Sequence, residues 1–142
     1  MRPVTGIKIL GFRLGVISLA VYWITLFLGT HWPAGVEIAP DISDKVKHFG
    51  GYFGLATLCC YVTSSPGNDR RATARRFLGV IAFLTVYGCI DELTQAFSPG
   101  RTPDVLDVLA DIAGTVSAVG VYLVGKHYFA QRAYARLERN QS

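Results

Sequence analysis

Four apolar runs, each cut off from the next by a block of charge, constrain this chain more than any other feature. They are LGVISLAVYWITLFLGT at 14–30, FGGYFGLATLCCYV at 49–62, FLGVIAFLTVYGCI at 77–90, and a run from Val105 to Phe129. Crossing a bilayer takes about 20 mostly apolar residues. The first run reads as an ordinary span. The second and third are short unless their polar ends also lie at membrane depth, and the fourth carries Asp107 and Asp111. The expectation is an all-α fold: a polytopic membrane protein with a four-transmembrane-helix bundle, forming a single domain over 1–142.

Composition excludes several other classes. A soluble domain can be 51% hydrophobic, but it spreads its charges more evenly than this chain does. Cys59, Cys60 and Cys89 all fall inside apolar runs with no C-x-x-C pair, so they read as small buried hydrophobes rather than a disulfide or metal site. A pI near 9.1 suggests nucleic acid in a soluble protein. Here the basic clusters flank apolar spans and read as topology signals, so the partner is the lipid bilayer and not nucleic acid. The first run is longer than a secretory signal core, and THWPAG offers no clean small-x-small cleavage site. It reads as a retained span.

Charge sets the expected direction. Eleven of the 14 basic residues lie before the first run, between the second and third, or from Lys126 onward at the end of the fourth, accompanied only by Asp69 and Glu138. The positive-inside rule then places both termini and the 65–76 loop, with Arg70, Arg71, Arg75 and Arg76, in the cytoplasm. The 31–47 loop and the Pro99–Gly100 turn face outward, which corresponds to a multi-pass protein of the inner, cytoplasmic membrane. The tail at 126–142 is basic and amphipathic and continues the last helix into the headgroup layer. Trp23 reads as span packing and Trp32 as a belt anchor.

The outer side collects polar residues. In APDISDKVKHFGGY, Ser43 or Asp41 can cap a helix start. Asp44, His48 and Tyr52 then share a face at four-residue spacing, and Gly50, Gly51 and Gly54 leave room for a neighbouring helix. In YGCIDELTQAF, Tyr87, Asp91 and Gln95 share a face, while Glu92 points about 100° away and cannot meet the same partner squarely. Asp91 lies roughly 9 Å below Phe97 along a helix. Pro99 and Gly100 suit the centre of a type II turn, Thr102 and Pro103 suit a helix cap and first position, and Asp104 then sits in the first turn. Asp104, Asp107, Asp111 and Gly114 fall within a sector of about 80°. Such a one-sided acidic stripe has to face the bundle interior or a wet cavity.

Two blocks, DKVKHFGGY at 44–52 and DELTQAFSPGRTPDVLDVLADIAG at 91–114, resemble the VanZ-like family of small bacterial membrane proteins. The shared pattern is an Asp-Glu pair, a Gln, a Phe, Pro-Gly-Arg, then spaced Asp residues and a Gly, with core motifs spanning 44–114. Asp111 stands where the family often carries Asn, and Ala118 where a second Gly often follows. The resemblance implies a four-span layout and a link to the cell envelope, since the family takes its name from a protein that raises resistance to a glycopeptide antibiotic.

Three functions fit the residues. The first is an outward-facing pocket that binds or processes an envelope component, such as a lipid-linked precursor bearing phosphate or carboxylate. Its binding set is Asp44, Lys45, His48, Tyr52, Asp91, Glu92, Gln95, Arg101, Asp104, Asp107 and Asp111. Arg101 can hold such an anion with two hydrogen bonds. His48 with Asp91 or Glu92 is the candidate catalytic pair for proton exchange. A hard divalent cation can bridge Asp91, Asp107 and Asp111. The second is a structural or accessory protein whose acids pair with Lys45, Lys47, Arg101 and His48 as interhelical glue. The third is an ion or proton transporter, which the near absence of ionisable groups in the cytoplasmic half of the third and fourth spans argues against. Six acids against three or four bases leave a surplus of negative charge that protons, water or a cation must neutralise.

Overall fold

The computed structural model describes residues 8–9, 12–32, 41–63 and 69–139. A two-residue antiparallel ladder, β1 (Lys8–Ile9) with β2 (Phe12–Arg13), comes first. Hydrophobic periodicity does not foresee it, because two residues are too few to carry a period. Four helices follow: α1 (Leu14–Thr30), α2 (Asp44–Val62), α3 (Arg70–Gln95) and α4 (Val105–Arg139). The expected 33–40 and 64–68 loop segments, with Glu37, lie outside the described residues, as do Arg2 and the side chains of Lys8, Tyr134 and Leu137.

All four expected helices are present, and among the described residues the regular structure is all-helical apart from that short ladder. α1 coincides with the first apolar run. α2 and α3 start earlier than their apolar runs, because charged residues continue the helix beyond the apolar part. Arg70, Arg71, Arg75 and Arg76 therefore occupy the first two turns of α3 rather than a loop. Asp69 caps that helix, its carboxylate accepting from the Arg71 N–H at 2.9 Å. α4 carries the basic tail as continuous helix to Arg139.

Among the described residues, two helices are long and apolar enough to cross a membrane, Arg70–Gln95 and the Val105–Arg132 part of α4. α1 is apolar but only 17 residues long, and α2 begins with three charged residues in DKVK.

α2 is the centre of the packing. Tyr52, Leu55, Ala56, Cys59 and Cys60 are buried against Phe77, Val80 and Leu84 of α3 and Ala118 and Val119 of α4. The tightest approach joins α2 and α4 at Gly114, where a Cβ would collide with the backbone carbonyl of Phe49. A small residue at a helix crossing lets two backbones close up and gain dispersion contact. Gly51 and Gly54 of α2 face Leu26 and Tyr22 of α1, whereas Gly50 faces open space and admits no neighbour. Tyr22 donates to the Gly51 carbonyl at 3.1 Å. Trp23 does pack within the bundle, edge-on to Phe83 and Tyr87 at centroid distances of 5.6 and 4.9 Å.

Charge and apolar surface are distributed the opposite way from a soluble protein. Asp91, Glu92, Asp107, Asp111 and His48 are buried. Val21, Ile24 and Leu28 of α1, Leu78, Val86 and Leu93 of α3, and Val121 and Val124 of α4 all stand exposed. Cys89 belongs to this outer face too, so the expectation of three buried cysteines holds only for Cys59 and Cys60. Exposed apolar side chains in such number need lipid or a partner to cover them.

Candidate functional site

The hairpin between α3 and α4 organises one end of the bundle. Ser98, Pro99, Gly100 and Arg101 form a four-residue turn closed by the Arg101 N–H on the Ser98 carbonyl at 3.1 Å. Gly100 has φ 78°, the left-handed region that glycine adopts without a Cβ penalty. The helix cap is Asp104 rather than Thr102. Its Oδ1 accepts from the Leu106 N–H at 2.9 Å, and its carbonyl accepts from the Asp107 N–H at 3.0 Å. An aspartate carboxylate satisfies unpaired N–H groups better than a threonine hydroxyl next to proline, so α4 starts at Val105. Glu92 Oε1 accepts the Asp104 N–H at 2.7 Å, tying the end of α3 to the start of α4.

Around this hairpin the acids of α2, α4 and the connecting segment are paired. Lys45 Nζ lies 2.7 Å from Asp104 Oδ2 and 3.0 Å from Asp107 Oδ1. Arg101 Nη1 lies 3.4 Å from Asp44 Oδ2, and its Nε donates to the Trp32 carbonyl. His48 Nδ1 lies 3.0 Å from Asp111 Oδ1. Lys45, Asp104 and Asp44 are more than 40% exposed and form the rim, while His48, Asp107 and Asp111 lie beneath them. The ammonium of Lys45 holds the Asp104 carboxyl below the usual carboxylate range. Lys47 makes no ion pair among the described residues, contrary to its expected part in the balance.

A second group sits around Asp91. Thr30 Oγ1, Tyr87 Oη and Gln95 Nε2 each lie 3.4 Å from its carboxylate oxygens, and His31 Nδ1 lies 3.8 Å away. Gln95 Nε2 also donates to Glu92 Oε2 at 3.1 Å. Asp91 and Glu92 do therefore share a partner, despite the 100° between them. The flexible Gln95 side chain rises one turn and lies across both, which a helical wheel of Cβ directions does not capture. Thr30 and His31 were not among the expected site residues. The only hint in the sequence was that polar THW closes the first apolar run on the same side as the other polar ends.

Deeper still, three fully enclosed polar atoms have no hydrogen-bond partner among the described residues: Tyr52 Oη, Asp111 Oδ2 and Thr115 Oγ1. Tyr52 Oη and Asp111 Oδ2 both lie within 3.4 Å of the point a Cβ on Gly88 would occupy. Buried groups of this kind are held by water or an ion in most proteins.

Every expected binding residue thus falls at this end of the bundle. The expected cation set does not form as a unit. Among the described residues, the group whose ligand atoms lie within 4.8 Å of one another is Asp44, His48 and Asp107, which keeps Asp107 and replaces Asp91 and Asp111. Asp91 is drawn towards α1 by Thr30 and His31, and Asp111 is turned onto His48.

The contacts join the last turn of α1, the first turns of α2, the last turn of α3 and the first turns of α4, so successive helices run antiparallel. Chemically, the arrangement is an acidic cluster, a polar cup, with two part-exposed cations at its rim and a buried histidine–aspartate pair beneath them. No curated protein and no solved structure matches the chain significantly. A family model described as VanZ/LLP1 matches residues 12–126, a stretch that contains every member of the cup. With more than half of its length matched, the chain belongs to the VanZ/LLP1 family.

Proposed function

We propose that this protein is a multi-pass protein of the inner membrane whose polar cup opens outward and binds an anionic component of the cell envelope. The observation that carries this reading is the inverted distribution of charge. An exposed apolar surface surrounds buried acids at one end of the bundle, and Lys45 and Arg101 stand at the rim. An arginine and a lysine at a part-exposed rim suit a phosphate or carboxylate, as a lipid-linked cell-wall precursor carries. The orientation follows from the other end, where Arg70, Arg71, Arg75 and Arg76 start α3 and Lys126 lies on α4. Positive charge of that density favours the cytoplasmic side, so all four helices span and both termini are cytoplasmic. VanZ membership supports a link to glycopeptide resistance and the envelope.

The test is susceptibility to cell-wall antibiotics in cells carrying Arg101→Ala or Asp107→Asn, with accumulation checked by immunoblot. Altered susceptibility at normal accumulation supports the reading; unchanged susceptibility in both variants counts against it. One observation favours a second reading, a non-catalytic interhelical clamp: Lys45, Arg101 and His48 already have carboxylate partners. A clamp predicts loss of accumulation in those variants and no separate effect on susceptibility.

A further inference from the structure

We propose that the cup is a mononuclear site for a first-row divalent metal cation, zinc or manganese, ligated by Asp44, His48 and Asp107. Each residue offers one ligand atom, and the three atoms lie within 4.8 Å of one another. Asp44 and His48 stand one turn apart on α2, and Asp107 lies in the first turn of α4. The packing of these two helices, closed up at Gly114, brings the three together.

The existing pairs use only one side of each ligand. Arg101 takes Asp44 Oδ2, Lys45 takes Asp107 Oδ1, and Asp111 takes His48 Nδ1. Asp44 Oδ1, Asp107 Oδ2 and His48 Nε2 have no hydrogen bond among the described residues. Although His48 as a residue is 5% exposed, its Nε2 is not one of the fully enclosed atoms, so it is open to an approaching cation.

Asp111 distinguishes this cluster from a chance gathering of acids. A ligating histidine usually donates its other ring N–H to a carboxylate, which fixes the tautomer and raises the basicity of the ligating nitrogen. With Nδ1–H donating to Asp111 Oδ1 at 3.0 Å, the lone pair is on Nε2. The donor set then selects the metal. One imidazole and two carboxylates suit zinc or manganese, whereas magnesium and calcium prefer oxygen alone. Atoms bound about 2.0–2.2 Å from one ion lie roughly 3–4.4 Å apart, so small side-chain shifts complete the site.

Three protein ligands leave at least one coordination position open. That position lies at the rim with Lys45 and Arg101, where an anionic oxygen of the ligand completes the sphere. This last step rests on the pocket reading above; the metal site does not.

The test uses the full chain in lipid nanodiscs, stripped with a chelator and titrated with zinc or manganese. Elemental analysis should find one retained equivalent that excess magnesium does not displace. Asp44→Asn and His48→Gln should each weaken binding about tenfold or more, while Lys47→Gln leaves it unchanged. Asp111→Asn, which alters a positioning residue, should weaken binding by about tenfold and keep the histidine coupling described next. Because buried variants can misfold, the wild-type chain also supplies a decisive signal. Its manganese form should show nitrogen coupling from one imidazole by pulsed electron paramagnetic resonance. No retained equivalent, manganese without nitrogen coupling, or binding unchanged in both Asp44→Asn and His48→Gln overturns the proposal. A failure here together with an altered antibiotic phenotype for Arg101→Ala leaves a metal-free pocket, so the two proposals fail separately.

Discussion

His48 Nδ1 and Asp111 Oδ1 stand 3.0 Å apart, with both side chains at least 96% enclosed. The pair joins α2 to α4 beneath the rim, where neither group can exchange its partner for bulk water. Its two halves are therefore interdependent. Removing one partner of a buried pair costs about 3–5 kcal/mol, because the other is left uncompensated. His48→Leu should lower unfolding stability by about that amount in detergent. The double variant His48→Leu with Asp111→Leu should recover most of it, since apolar replacement of a whole buried pair is often neutral. Additive losses in the two single variants and the double would show that the residues are not coupled.

Gly114 supplies a sharper packing test. A Cβ there meets the Phe49 carbonyl, which is backbone and cannot rotate away. Gly114→Ala should destabilise by about 1–3 kcal/mol as α2 and α4 separate. Gly120→Ala on the same helix meets nothing within 4 Å and should be neutral or slightly stabilising. Thermal unfolding of both in one detergent checks the contrast.

The hairpin turn predicts its own weak point. Gly100 has φ 78°, so Gly100→Ala should cost about 1–2 kcal/mol. Pro99→Ala should cost less, because proline restricts the unfolded chain without being required for the turn. Equal losses from the two substitutions would place the constraint elsewhere.

The rim predicts a pH dependence of known sign. Lys45 holds the folded-state carboxyl of Asp104 below its ordinary value of 3.8. A depressed carboxyl stabilises the fold above its unfolded value, and that contribution is lost as pH falls through the folded value. Stability measured from about pH 5 downward should therefore fall less steeply in Asp104→Asn than in the wild type. An identical slope would mean that Lys45 gives Asp104 no net advantage.

Much of the fold could be read without coordinates, for local reasons. The apolar runs place four helices, and α1 matches its run from Leu14 to Thr30. The Ser98–Arg101 turn follows from proline and glycine torsions, and the hydrogen bond from the Arg101 N–H closes it as expected. Less local features were harder. The α4 cap is Asp104 rather than Thr102 because two capping residues on either side of Pro103 compete, and their relative positions after the turn decide the outcome. The charged start of α3 at Arg70 extends beyond its apolar run because a helix can continue into a polar layer, whereas α2 starts at Asp44, directly after Ser43, as the capping residues imply.

What the sequence determined by itself was everything set by spacing along one helix: the helices, the turn, and the single face shared by Asp104, Asp107 and Asp111. What the tertiary structure decided was which partner each acid meets. Lys45 goes to Asp104 and Asp107, Arg101 to Asp44, His48 to Asp111, and His31 approaches Asp91. Those choices depend on the rotation and depth of each helix against its neighbours, set by contacts such as Gly114 on Phe49 and Tyr22 on Gly51. Residues more than fifty positions apart carry no periodicity that reveals such a meeting. The surplus of acid could be counted from the chain, but the place where a cation would resolve it appears only when α2 and α4 are packed together.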